Sequence, residues 1–444
     1  MYPPSVGKGP TLKRSLTLID VVALGVNGVI GTGIFLLPGK WVASLGPAAI
    51  IALLFAAVLS FVIAMCFAEV SSYFRGTGGA YLYALRTFGD LPGFLVGWMT
   101  CVVTVVAWAA LANGLVRAIA AFEPAMGSGA PRAIFLVGFM GLLTWVNLRG
   151  AKLGAVVANF FTAAKLVPLA VFIGVGLFFI DGPQFQPFAP RGYGDFFTAT
   201  LLIFYAFVGF EGLVVPAGEM AKPQRDVPLA LIIVLVLVVL VYAAVLCVAI
   251  GTFPGLAGHE SPIASASETF LGGWGGTFIG VGIVISMLGI NAASALVGPR
   301  RIYAMAEQGH LPRPLAKVNA SGSPAGAIVT LYVIACALAL WGEYEKLALI
   351  SVIARFAQYI STSIAVLFLR RRGPLGPSDP GTDPSKRFRL PLGPTIPIVS
   401  LALCLFMVYQ SKTENQIAGA IALGCGVPVY FFIRMRQGFR EPPA

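Results

Sequence analysis

The sequence predicts an all-α polytopic membrane protein with about twelve transmembrane helices. Three observations carry this. Hydrophobic residues make up 58% of the 444 residues and charged residues 11%, with a mean hydropathy of +0.87, outside the range of soluble globular domains. The apolar residues gather into runs of about 20, the length that crosses a hydrocarbon core. Two of these runs are interrupted near their middles by closely spaced glycines.

In chain order, the runs cover approximately residues 17–39, 46–70, 92–121, 132–149, 152–180, 195–220, 227–252, 273–305, 324–341, 346–369, 394–411 and 415–434. No polar stretch between them is long enough for a separate soluble domain. Residues 1–434 therefore read as one transmembrane domain, followed by a short cytoplasmic tail at 435–444. The apolar region after Lys13-Arg14 is too long for a signal peptide and ends in Pro38-Gly39 without a small-residue cleavage site.

A net charge of +12 would raise the question of nucleic acid in a soluble protein; between membrane runs it reports topology instead. With the N-terminus inside, most of the 30 Lys and Arg fall on one side, from Lys8, Lys13 and Arg14 through Arg300, Arg301 and Arg370 to Arg440. Lys40, Arg117, Arg132, Arg191, Lys346 and Lys412 fall on the other. This asymmetry predicts both termini in the cytoplasm and an even number of helices. Compact loops suit a multi-pass plasma membrane protein, specifically of a bacterial inner membrane. The six cysteines (Cys66, Cys101, Cys247, Cys336, Cys404, Cys425) all sit in apolar runs without a CxxC spacing, so no metal or cofactor is expected.

The first run reads Leu16 to Pro38 and is broken by Gly31-Thr32-Gly33. In the sixth, Gly209 and Gly212 bracket Phe210-Glu211. A helix in lipid must satisfy its own backbone groups, and an unwound stretch is tolerated only where it lines a cavity or meets a ligand. Glycine favours such unwinding. Glycines also permit close helix packing, but the two breaks lie five helices apart. That spacing divides helices 1–5 and 6–10 into two repeats, about 17–180 and 195–369, with helices 11–12 over about 394–434. An odd number of helices per repeat inverts one against the other. Paired interruptions in corresponding positions point to a ligand site at the bilayer midplane of a secondary transporter.

Four motifs resemble the amino acid–polyamine–organocation (APC) transporter superfamily. Val29-Ile-Gly-Thr-Gly-Ile-Phe35 is similar to its first-helix signature and Phe204-Tyr-Ala-Phe-Val-Gly-Phe-Glu211 to its sixth. Glu219-Met-Ala-Lys-Pro-Gln-Arg-Asp-Val-Pro228 is similar to the loop after helix 6. Gly298-Pro-Arg-Arg-Ile-Tyr-Ala-Met-Ala-Glu-Gln-Gly-His-Leu-Pro312 is similar to the end of helix 8, and Ser323-Pro324 to the opening of helix 9. The resemblance implies a five-plus-five inverted repeat, alternating access, and a free amino acid bound between the broken helices. It implies that Gly31, Thr32 and Gly33 hold the carboxylate, at the positive end of a half-helix. The carbonyls of Val29, Tyr205 and Val208 would hold the amino group, with Ile30, Gly209 and Phe210 beside them.

Charges inside the runs are functional hypotheses by default. Lys165 lies in mid-helix 5, where relatives with a lysine place its ammonium at the sodium site of sodium-coupled members. It therefore argues against sodium and fits protons as the coupling partner, or a fixed charge in an exchanger. A purely structural ammonium, tying helix 5 to carbonyls of helices 1 and 8, is the alternative. Glu211 would carry a proton, be kept neutral by burial, or order the break by hydrogen bonding. Glu69 and Glu219 read as gate or loop salt-bridge partners. Arg355 stands in helix 10 with no partner assignable from sequence. Tyr205, Phe210 and Trp108 are gate candidates; Asn113 and Ser286 are plausible pocket residues, while Asn27 and Asn291 read rather as bonds between helices.

An intramembrane enzyme finds no support: there is no HExxH or GxSxG, and both histidines, His259 and His310, lie in loops. A non-transporting nutrient receptor shares all these features and differs only in flux. The loop 122–131 has no cysteine, so no covalent partner subunit is expected. The substrate expectation is a neutral amino acid, with exchange, or a cationic amino acid or polyamine, as alternatives.

Overall fold

The computed structural model describes residues 12–120, 122–341, 344–375, 382–411 and 413–436. Lys8, Lys412, Arg440 and the tail beyond 436 lie outside the described residues. The described residues form sixteen α-helices and short 3-10 turns. Twelve segments correspond to the twelve predicted runs. The first is α1 (Leu18–Val29) with α2 (Thr32–Leu36), and the second is α3 (Pro38–Leu45) with α4 (Ala49–Ser71). After the short α5 (Ala80–Phe88) come α6 (Asp90–Ala120), α7 (Gly129–Leu148) and α8 (Ala151–Gly176). The second half holds α9 (Phe196–Phe207), α10 (Pro223–Thr252), the short α11 (Pro262–Leu271), α12 (Gly273–Glu307), α13 (Ala325–Trp341) and α14 (Tyr344–Arg372). Two further helices, α15 (Thr395–Tyr409) and α16 (Thr413–Arg436), complete the chain. Leu142, Val236, Leu240 and Val333 are among large apolar side chains exposed on helix exteriors, as a lipid-facing surface requires.

The packing follows the repeat. A short helix, α5 or α11, follows the second segment of each half. In the second half α8 lies along α12, and in the first α14 lies along α6. The third and fifth segments of the two halves thus exchange partners. In the same way α4 packs on α9, and α1 on α10.

Each half opens on a helix that stops early. Thr17 caps α1: its hydroxyl accepts from the Asp20 amide, and the Asp20 carboxylate accepts from the Thr17 amide at 2.9 Å, a reciprocal pair that fixes the helix start. Lys152 and Asn159 of α8 donate to the same carboxylate, each at 2.8 Å, joining α1 to the fifth segment. The helix ends at Ile30, whose ψ of 93° is extended. In the sixth segment the run 195–220, expected to be interrupted at Gly209 and Gly212, does not resume as an α-helix after the interruption. Regular α-structure stops at Phe207, and single 3-10 turns follow at Phe210–Gly212 and Ala217–Glu219. Gly209 causes the stop. Its φ of +125° belongs to glycine, and a Cβ there would lie 2.2 Å from the Gly28 carbonyl oxygen. The two interrupted helices therefore touch, backbone to backbone, at their breaks.

Candidate functional site

A cavity of about 110 Å³ opens beside this contact. Its wall includes Gly28, Val29, Gly31, Thr32 and Gly33 from the first break, and Tyr205, Val208, Gly209 and Glu211 from the second. The remainder comes largely from α6 and α12, with Arg355 of α14. Most of the backbone positions expected from the sequence are thus brought to one place. First-turn amides of a helix find their acceptors outside it, and those of α2 start at this wall. Carbonyls that end α1 and α9 border the same space.

The first break is held by donors. The Lys165 ammonium donates to the carbonyls of Ile30 at 2.6 Å and Asn27 at 3.3 Å. Ser286 of α12 donates to the same Ile30 carbonyl at 3.2 Å. The Tyr242 hydroxyl of α10 lies 3.0 Å from both the Val29 and Ala206 carbonyl oxygens, and so bridges the two broken helices. The second break is held by an acceptor. One oxygen of Glu211 receives the Gly209 amide at 3.0 Å and the Tyr359 hydroxyl at 3.0 Å. Its other oxygen pairs with the guanidinium of Arg355, the partner that the sequence did not identify.

Several expected residues lie off the cavity wall. Ile30 is buried and contributes its carbonyl to Lys165 rather than a face to the cavity. Lys165 itself is fully buried, with its ammonium at the back of the α1 break. It ties helix 5 to helix 1 alone; helix 8 meets the shared carbonyl through Ser286. Phe210 stacks on Tyr359 with centroids 5.7 Å apart and sets Phe67 edge-on. Trp108 packs among buried residues of α7, α12 and α13. The apolar surface of these rings is spent on neighbouring helices, which places them behind the wall. Asn27, Asn113 and Asn291 bond to carbonyls of other helices: Ala158, Ala339 and Leu111.

Glu219 and Glu69, expected as salt-bridge partners, each meet an arginine. Glu219 meets Arg300 at 2.7 Å with both side chains fully buried. Glu69 meets Arg370 at 2.6 Å and also accepts the Leu390 amide at 2.8 Å. Sequence reasoning missed Tyr242 and Tyr359, which carry no motif. It also missed Arg301, counted with the loop although it lies inside the eighth apolar run. Its side chain reaches the cavity wall and donates to the Thr104 hydroxyl at 3.0 Å.

Comparison with known proteins agrees with this architecture. The amino acid permease family model matches residues 16–421. A branched-chain amino acid permease of Bacillus subtilis is 27% identical, with 95% of this chain and 93% of the relative covered. The serine/threonine exchanger of the same organism is 28% identical over 96% of this chain and 98% of its own. Its methylthioribose transporter is 29% identical over 96% and 94%. With two adjoining helix breaks at a shared cavity and a family match across nearly its whole length, the chain belongs to the amino acid permease family of the APC superfamily, polytopic membrane transporters of amino acids and not enzymes.

Proposed function

We propose that this protein is a secondary active, sodium-independent amino acid transporter that works by alternating access and is driven by protons. The observation that carries the reading is the contact of Gly28 with Gly209, which sets unwound backbone of both repeats against one small cavity. The amides opening α2, at Gly31, Thr32 and Gly33, bind the substrate carboxylate. The carbonyls of Val29, Tyr205 and Val208 bind its ammonium, each oxygen carrying two lone pairs. The repeats span about 17–180 and 195–369 within one transporter domain, in a bacterial inner membrane with both termini cytoplasmic. Alternating access then rocks one repeat against the other around the fixed breaks.

Lys165 supports sodium independence, because its ammonium already donates to the carbonyls of the first break. A cation at the C-terminal end of a half-helix fills the place where a metal ion would find those oxygens. Exchange without net proton movement is the second reading, favoured by the same ammonium acting as a fixed charge. The apolar part of the wall admits the stem of a side chain, whereas a cationic side chain or polyamine would meet two guanidiniums, Arg301 and Arg355, on it.

The test is uptake of radiolabelled amino acids into sodium-free proteoliposomes with and without an inward proton gradient. Uptake raised by the gradient supports symport. Uptake that requires internal amino acid means exchange. Absence of flux for every amino acid overturns the proposal in favour of a receptor.

A further inference from the structure

The charged groups on the cavity wall do not balance. Glu211 is matched by Arg355. Among the described residues Arg301, 6% exposed, has no ion pair. Its polar partner is the Thr104 hydroxyl, and its Nε has no hydrogen-bond partner among the described residues. The Nε of Arg355 on the same wall is likewise unpartnered. The buried carboxylates that meet cations elsewhere are already committed: Glu219 to Arg300, Glu69 to Arg370 and Asp20 to Lys152. A guanidinium at membrane depth is expensive, and an unmatched one costs more than one that is paired. A hydroxyl satisfies one of its five donors.

We propose that Arg301, supported by Arg355, receives the side-chain carboxylate of an acidic amino acid. This rests on the transporter reading above and names the substrate class of that site. The amino acid's own two charges are met at the breaks, so the anion that matches Arg301 must be a second one, on the side chain. Position selects among acidic side chains. Leu111 of α6 receives a hydrogen bond from Asn291, next in sequence to Ile290, whose side chain lies against Gly31. Thr104, which holds Arg301, is seven residues earlier on α6, roughly 10 Å lower along the helix at 1.5 Å per residue. The side-chain carboxylate is therefore directed away from the first break and toward Thr104, and glutamate, one methylene longer, reaches further along that line than aspartate. A neutral substrate would leave the guanidinium unmatched, and a cationic one would add to the imbalance.

Counterflow in sodium-free proteoliposomes of the full chain, with labelled glutamate, aspartate, leucine and serine, tests this. Glutamate is expected to enter at least tenfold faster than leucine or serine, with aspartate between. Arg301→Met is expected to lower the glutamate-to-leucine ratio at least tenfold, and Arg301→Lys to restore much of it. Leucine or serine outrunning glutamate in the unaltered protein would overturn the acidic class while leaving amino acid transport intact. An unchanged ratio in Arg301→Met would make Arg301 structural and overturn its assignment. No counterflow of any amino acid would sink both this inference and the transporter reading. Should Arg301→Met fail to fold, Thr104→Val, which releases the guanidinium without removing charge, is expected to move the ratio in the same direction, and an unmoved ratio there would equally overturn the assignment.

Discussion

The two helix breaks meet back to back yet are built with opposite chemistry. At the end of α1 the chain leaves carbonyls, and donors hold them: Lys165, Ser286 and Tyr242. After α9 it restarts with an amide, Gly209, and a carboxylate holds it. The difference follows from backbone polarity. A helix ends with orphan acceptors and partial negative charge, and begins with orphan donors and partial positive charge. A lysine suits the first and a glutamate the second. Each stabilising group comes from a different layer. Lys165 comes from the neighbouring α8, whereas Glu211 belongs to the break itself and is fixed from outside by Arg355 and Tyr359. The first break can therefore lose its cation without moving any charge in its own helix. The second cannot lose Glu211 without stranding a guanidinium.

That asymmetry predicts the largest effect at Glu211. Glu211→Ala leaves Arg355 without its counter-ion, a loss of about 3–5 kcal/mol for one partner of a buried pair. Thermal unfolding of the detergent-solubilised protein is expected to show it as a large drop in midpoint. The double variant Glu211→Leu with Arg355→Met is expected to recover much of the stability, because paired removal leaves the net charge of the wall unchanged and Arg355 no longer stranded; a double variant as unstable as the sum of the singles would break the comparison. Next comes Gly209→Ala. The added Cβ meets the Gly28 carbonyl oxygen, and a non-glycine φ of +125° is strained, costing about 1–3 kcal/mol. Transport is expected to fall more than tenfold as the breaks are pushed apart. Retained flux would show that their contact is dispensable.

At the first break the expected effect is on flux more than on folding. Lys165→Met removes the donor to the Ile30 and Asn27 carbonyls, and the maximal rate is expected to drop about tenfold or more, within the range of preorganised positioning. Lys165→Arg separates proton transfer from fixed charge, since a guanidinium stays protonated. Under proton coupling through Lys165, uptake by Lys165→Arg loses its response to an inward proton gradient. If the gradient response survives, Lys165 acts only as the charge that holds the α1 carbonyls.

The breaks were legible in the sequence because glycine spacing is a local signal. Gly31-Thr32-Gly33 and the Gly209–Gly212 pair each lie within one run, and the structure unwinds the chain at Ile30–Gly31 and at Val208–Gly209. The restart of the sixth segment as 3-10 turns was not legible, because an apolar run says nothing about which turn type follows a glycine at positive φ. Among charged residues, Lys165 announced itself by lying mid-run. Arg301 did not, because Arg300 beside it has a loop-side partner in Glu219, and two adjacent arginines near a helix end read as topology. On α12 neighbouring residues point about 100° apart, so one reaches Glu219 and the other the cavity. Tyr242 and Tyr359 were invisible for a different reason. An aromatic in an apolar helix carries no sign of where its hydroxyl goes until the partner carbonyls and carboxylate are placed.

Tyr242 also gives the smallest and most selective prediction, because it is the group the two breaks share. Its hydroxyl has one proton and two carbonyl neighbours, Val29 and Ala206, each at 3.0 Å. The bond is therefore divided between the helices, and its loss is worth about 1 kcal/mol for a neutral donor. Tyr242→Phe keeps the ring that packs edge-on against Phe207 at 5.2 Å and removes only the oxygen. Stability is expected to fall by about that 1 kcal/mol, with substrate half-saturation raised severalfold, since the Val29 carbonyl is one of the proposed ammonium acceptors and is no longer oriented. Lys165→Met in the same background is expected to be more than additive, because both donors then leave the end of α1 together. Simple additivity would mean that the first break is two independent contacts and not one positioned end.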